Sequence, residues 1–208
     1  GESDPHTYYF GGKGGRGMVN HGNMDGGSFI FELNGVRWVI DPGNQSYHAL
    51  EQTGFDLWGR CQECERWTLL TKSNFGHSTI SVNNERHRTE GLVTLKEFRD
   101  GDQPEATFDM SATLAGQVAG ATRRFVKDSP TTLLIEDNIT LSEETEGVCH
   151  DDLAQVWIGN AAEARLLGHE AERGHARLGV RLKHEQPLFT AFVIPTEIGP
   201  ACALAAQQ

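Results

Sequence analysis

Phe29-Ile30-Phe31-Glu32-Leu33-Asn34-Gly35-Val36-Arg37-Trp38-Val39-Ile40 is a pair of apolar runs hinged on Asn34-Gly35. Asn-Gly between two such runs specifies a tight hairpin of type I′, because both central residues must take positive φ. Pairing across that turn sets Leu33 opposite Val36, Phe31 opposite Trp38 and Phe29 opposite Ile40, all apolar and on one face. The other face pairs Ile30 with Val39 and Glu32 with Arg37, an opposite-charge contact. A slip of one residue would break both patterns. The same register carries Asp41 back opposite Ser28, into the neighbourhood of the polar segment that precedes the first strand.

Working outward, short apolar stretches recur with turn residues between them. Strands are expected around 78–83, 91–98, 105–114, 121–127, 131–140, 148–158, 163–168, 175–183 and 188–194. Asp100-Gly101, Asp128-Ser129-Pro130 and Glu146-Gly147 mark turns. That spacing predicts an all-β, antiparallel sandwich occupying residues 1–208 as a single domain. The stretch 161–173, rich in Ala, Glu and Arg, fits a short helix as well as a strand. Residues 44–72 are less regular and predict a long loop that covers a site. Gly11-Gly12-Lys13-Gly14-Gly15-Arg16-Gly17 lacks the Gly-Lys-Ser/Thr ending of a phosphate loop; it is a flexible connection or a place of close backbone approach.

Composition narrows the partners. A net charge of −11 argues against nucleic acid, which needs a basic surface. No apolar run is long enough to cross a bilayer as a helix, so no membrane partner is expected. The first residues show no signal-peptide pattern. Cys61 and Cys64 form a C-x-x-C with no second pair at zinc-ribbon spacing, leaving buried thiols or a local disulfide. Cys149 and Cys202 have no pattern of their own, and His87, His150, His169, His175 and His184 are expected at the surface.

Three junctions concentrate polar chemistry: His21-Gly22-Asn23-Met24-Asp25-Gly26-Gly27-Ser28 before the hairpin, Asp41-Pro42-Gly43 after it, and Gly76-His77-Ser78-Thr79 before a later strand. If the strands adjoin, His21, Asn23, Asp25, Asp41 and His77 converge at one end of a sheet. These blocks resemble the heparinase II/III family. The resemblance is carried by Asn20–Phe29, Gly35–Gly43, Leu57-Trp58-Gly59-Arg60, Arg66-Trp67-Thr68 and Phe75–Thr79, and is close over residues 8–84.

The resemblance implies a β-sandwich of the family's C-terminal type. It implies cleavage of uronic-acid polysaccharide by β-elimination, alongside an N-terminal helical toroid expected to lie outside these 208 residues. His21 matches the family's sandwich-borne catalytic histidine. Asp41 and His77 match two ligands of a metal, often zinc, and Asn23 stands where the family's pattern has a second histidine. Asp25 matches an acidic residue that holds the loop. The implied partner is an acidic polysaccharide and the implied location periplasmic or secreted. Arg60 and Arg66 are candidates to grip substrate carboxylates or to form surface ion pairs, and Tyr47, Trp58 and Trp67 are sugar platforms or core residues. The rival to the lyase is a carbohydrate-binding or scaffold sandwich without catalysis.

Overall fold

A computed structural model describes residues 7–82 and 84–140 in full and, beyond them, the backbone of four further strands. The strands, in chain order, are β1 Tyr8–Gly12, β2 Phe29–Leu33, β3 Val36–Val39, β4 Thr94–Arg99, β5 Glu105–Asp109, β6 Gly120–Ser129, β7 Thr132–Thr140, β8 Ala154–Ile158, β9 Ala162–Glu170, β10 His175–Leu182 and β11 Thr190–Ile194. One short helix, α1 Tyr47–Gln52, interrupts them. Two antiparallel sheets result, ordered β1-β2-β3-β8-β11 and β4-β5-β6-β7-β10-β9. The all-β sandwich expected from strand spacing is the observed fold class.

The sheets meet through aromatic rings. Phe10 of β1 lies 4.8 Å, and Phe29 of β2 5.2 Å, from the ring of Phe125 on β6. Phe108 of β5 closes the cluster edge-on to Phe125 at 5.9 Å. Around them Phe31, Leu33, Ile80, Val82, Met110, Leu114 and Ile135 are buried. Offset and edge-to-face rings add favourable contact beyond the apolar area they remove from water.

The hairpin forms with Asn34 at φ 54° and Gly35 at φ 76°, the positive pair its turn requires. Leu33 faces Val36 and Glu32 faces Arg37, as expected. Beyond them the register differs: Phe31 pairs with Val39 rather than Trp38. Trp38 is the extra residue of a β-bulge, which lets Trp38 and Val39 both turn inward. The pairing stops there, so the expected opposition of Asp41 and Ser28 is not made.

Other expectations shift for similar reasons. The first two residues of the glycine-rich segment are strand: Gly11 and Gly12 complete β1 against Ile30 and Phe29 of β2. Residues 78–83 are not a ladder strand, although Ser78–Val82 are buried. The strand expected to run to 114 ends at Asp109, where Met110 to Val118 coil into successive turns. Within the 161–173 stretch, Ala162–Glu170 form the strand β9, not a helix. His87 is buried rather than at the surface. Cys61 and Cys64 are joined as a disulfide. Only the backbone of His169 and His175 is described, and Glu146-Gly147, Cys149, His150, His184 and Cys202 lie outside the described residues.

Candidate functional site

The polar block before β2 folds as a tight loop held from below. Asp25 is buried and accepts an ion pair from Lys13 Nζ at 2.5 Å, which ties the block to the glycine-rich segment. Lys13 N also donates to Ser28 O, and Gly27 N to Lys13 O. Gly22 sits so close to the Gly17 carbonyl that a Cβ would collide with it. The chain therefore turns at His21, which takes φ 59°, a left-handed conformation uncommon outside glycine and asparagine. Backbone held there by its surroundings is a frequent mark of a functional position.

His21 is exposed and presents its ring to an aromatic corner made by the long loop. Tyr47, at the start of α1, stacks on it with centroids 6.1 Å apart and planes within 12°. Trp58 meets the same ring edge-on at 5.5 Å and Tyr47 at 5.6 Å. Trp58 is fixed by donating its indole N–H to Glu51 Oε1 at 2.9 Å. Lys72 approaches Tyr47 from inside. Its ammonium is buried, donates to Tyr47 Oη at 3.1 Å and to Asn44 Oδ1 at 2.8 Å, and lies 4.9 Å from the Tyr47 ring centre. No carboxylate pairs with Lys72 among the described residues. No spacing rule identifies Lys72 as part of this corner, because its contacts span loops that meet only in the folded chain.

Asp41 and His77 are brought together: Asp41 Oδ2 lies 2.7 Å from His77 Nδ1, and the imidazole is buried while the carboxylate is partly open. Burial pushes the Asp41 carboxyl up. The hydrogen bond and charge of His77, the Gly43 amide and Lys13 outweigh that and hold it below the ordinary range. His77 Nε2 and Asn23 Oδ1 are both buried without a hydrogen-bond partner. An amide oxygen, an imidazole nitrogen and a carboxylate are each donors that a divalent cation accepts, but Asp41 takes the Nδ1 side of the His77 ring and leaves Nε2 open on the other side. The set holds only one nitrogen and no sulfur, the donors zinc prefers. Among the described residues no three of His, Cys, Asp and Glu cluster as a metal site.

The two candidate arginines separate. Arg60 is exposed and donates to Asn20 Oδ1, one residue before His21. Arg66 is buried, with its guanidinium on the Gly22 carbonyl and over the Trp67 ring at 4.9 Å. Burial holds the Arg66 guanidinium below its ordinary range, and the neighbouring Arg60 charge adds to this. Arg66 thus braces the loop from within rather than offering itself to a ligand. Trp67 is buried too and donates its indole N–H to Cys61 O, so it belongs to the scaffold. The loops bearing Gly27 and Ser78 are anchored to the larger sheet by Arg123, which donates to both carbonyls at 3.0 Å and pairs with Asp137 at 2.7 Å.

Comparison with known proteins gives one family match. The sequence matches the family described as "Heparinase II/III-like, C-terminal" over residues 9–193. No curated protein matches it. Among solved structures it is similar to a heparan sulfate lyase HepC mutant from Pedobacter heparinus, with 12% identity and a TM-score of 0.48 over 85% of this chain and 31% of that one. It is also similar to heparinase III, with 12% identity and a TM-score of 0.43 over 88% of this chain and 31% of that one. The chain therefore spans about a third of the length of either structure.

Proposed function

This chain belongs to the heparinase II/III-like family, as its C-terminal domain, and we propose that it serves a polysaccharide lyase that cleaves uronic-acid polysaccharide by β-elimination. In that reaction a base removes the proton at sugar C5. The C–H electron pair becomes the C4=C5 double bond, the C4–O bond breaks, and an acid protonates the leaving oxygen. His21 is the proton-transfer group, exposed on a left-handed turn. Tyr47, stacked on it and touched by the Lys72 ammonium, is its neighbour for the second transfer. Trp58 offers a sugar platform, and Arg60 a guanidinium for the uronate carboxylate. The observation that carries this reading is the His21–Tyr47–Trp58 corner, an imidazole and a phenol held together at an exposed aromatic surface.

The same reading assigns a divalent metal, zinc by resemblance, to Asn23, Asp41 and His77, where it supplies positive charge that braces the block carrying His21. The substrate is an acidic polysaccharide. A helical toroid outside these residues completes the cleft. The Cys61–Cys64 disulfide fits an oxidising compartment, so the location is periplasmic or secreted. Among the described residues no helix is long and apolar enough to cross a membrane.

Formation of an unsaturated uronate, followed in the ultraviolet, tests the proposal on the full-length protein, on residues 1–208 alone and on His21→Ala. The full-length protein is expected to be active and the isolated domain nearly inactive. His21→Ala is expected to lower turnover by ~10²-fold or more. An unimpaired His21→Ala enzyme would remove His21 from the mechanism. Asn23 in the place of a histidine favours a second reading, a binding sandwich without catalysis. Retained binding of acidic oligosaccharide with no ultraviolet product from the full-length protein would establish it instead.

A further inference from the structure

Cations are distributed unevenly over the described residues. Four arginines on the sheets are neutralised: Arg123 by Asp137, Arg124 by Glu105 and Glu136, Arg99 by Glu97 and Glu105, Arg37 by Glu32. At the loop end the pattern reverses. Arg60 donates to a neutral amide, Asn20, and Arg88 donates to the Ala115 carbonyl at 2.8 Å; neither has a carboxylate partner. Both line one open cleft of about 570 Å³, with Gln62, Thr89 and Glu90. That is the volume of a small-ligand site, which typically spans ~300–1,000 Å³.

The walls of this cleft are fixed. Gln62 donates to His87 O at 2.9 Å and accepts from Thr89 N at 2.9 Å, stitching the two sides of the cleft together. The Cys61–Cys64 disulfide pins the segment next to Arg60. Preformed walls reduce the entropy that binding must overcome. On a protein of net charge −11, two guanidiniums without counter-ions in one fixed cleft make a local anion site. Glu90 on the same wall suits a ligand that also carries hydroxyl donors.

We propose that this cleft, starting at Arg60 beside the His21 turn and reaching Arg88, is a second sugar subsite, which binds the carboxylate or sulfate of a neighbouring residue of the polysaccharide. The inference rests on the proposed acidic-polysaccharide reading but not on elimination taking place. Arg60 joins the two sites, since its partner Asn20 precedes His21. Arg88 is the specific element, contributing charge-assisted hydrogen bonds to an anionic oxygen.

The test is equilibrium binding to the 1–208 chain by calorimetry, with three probes of equal length: an unsulfated oligouronate, a sulfated one and a neutral glucan oligosaccharide. Acidic probes are expected to bind and the neutral one to bind at least ~10-fold more weakly. Arg88→Gln is expected to weaken acidic binding by ~10-fold, the loss of one charged hydrogen-bonding group, and to leave the neutral probe unchanged. Arg88→Lys should recover part of that loss, and Arg37→Gln on the hairpin should change nothing. Whether Arg88→Gln loses more on the sulfated or the unsulfated probe identifies which anion occupies the cleft. Should Arg88→Gln fail to fold, Arg88→Lys, which keeps the charge, carries the expectation of a partial loss on the acidic probes alone. A folded Arg88→Gln that binds acidic probes like the parent, or an equal loss on Arg37→Gln, overturns the subsite. Loss on Arg88→Gln in a protein whose full-length form yields no unsaturated product supports the subsite and sinks only the lyase reading.

Discussion

Asp137→Ala is the sharpest test of how this fold holds its site. Arg123 is almost fully enclosed, and its guanidinium makes two bonds of 2.7 Å to Asp137 and two of 3.0 Å to the carbonyls of Gly27 and Ser78. Removing the carboxylate strands a buried positive charge, which costs ~3–5 kcal/mol in comparable buried pairs. A domain of this size holds roughly 5–15 kcal/mol in total, so the variant should sit near the edge of folding at ambient temperature. The double variant Arg123→Met/Asp137→Leu should be less damaging than Asp137→Ala alone. It leaves no unpaired charge, although Gly27 O and Ser78 O lose a donor. Reversible urea unfolding of Arg123→Met, Asp137→Leu and the double variant gives the coupling energy directly. Because Arg123 is the tie between β6 and the two site loops, amide exchange in Asp137→Ala should rise first around Gly27 and Ser78. An Asp137→Ala chain destabilised by less than ~1 kcal/mol, or a double variant whose loss equals the sum of the singles, would refute the argument that charge burial decides the outcome.

Three further outcomes follow from single observations. Burial holds His87 at about 4, below its ordinary 6.5, with Nε2 donating to Ile80 O. The folded state favours the neutral ring, so this contribution is complete above pH ~6.5 and is lost as pH falls towards 4, by ~3 kcal/mol; melting temperature against pH should show that fall, and His87→Gln should flatten it. Gly76→Ala drives a Cβ into the Leu70 carbonyl, a backbone atom that cannot swing aside; a loss of ~3 kcal/mol is expected by denaturant unfolding, and a neutral substitution would mean that the loop before His77 is not fixed as described. Asn23→His replaces an amide oxygen with an imidazole at the position assigned to the metal, and elemental analysis should find more zinc in the variant than in the parent; equal, stoichiometric zinc in both would show that Asn23 does not limit the site.

The site was legible in pieces. His21, Asn23, Asp25, Asp41 and His77 stand in loop-and-strand junctions whose order identifies the family, and the closeness of Asp41 to His77 was expected from that order. Asp25 does hold its loop, through Lys13. Arg66 looked like a ligand-gripping cation because its environment is set by Gly22 and Trp67, which approach it only in three dimensions. Lys72 and Arg88 carried no signal at all. A lone lysine or arginine in a sequence is most often solvated, and only burial or an unpartnered position in a cleft singles it out.

The sequence by itself determined what depends on neighbouring residues: the Asn34-Gly35 turn, the inner hairpin pairs, the turn at Asp100-Gly101, a turn beginning at Pro130 (Asp128 and Ser129 belong to β6), and the all-β class. Those features follow from φ preferences and a side-chain period of two, which act within a few residues. Tertiary structure alone decided the bulge at Trp38, the recruitment of Gly11 and Gly12 into β1, the burial of His87 and the Arg123 tie between sheet and site loops. Each of these balances the burial of apolar or charged groups against partners distant in the chain. The energy of such a contact depends on which surfaces meet, and local sequence pattern does not encode that.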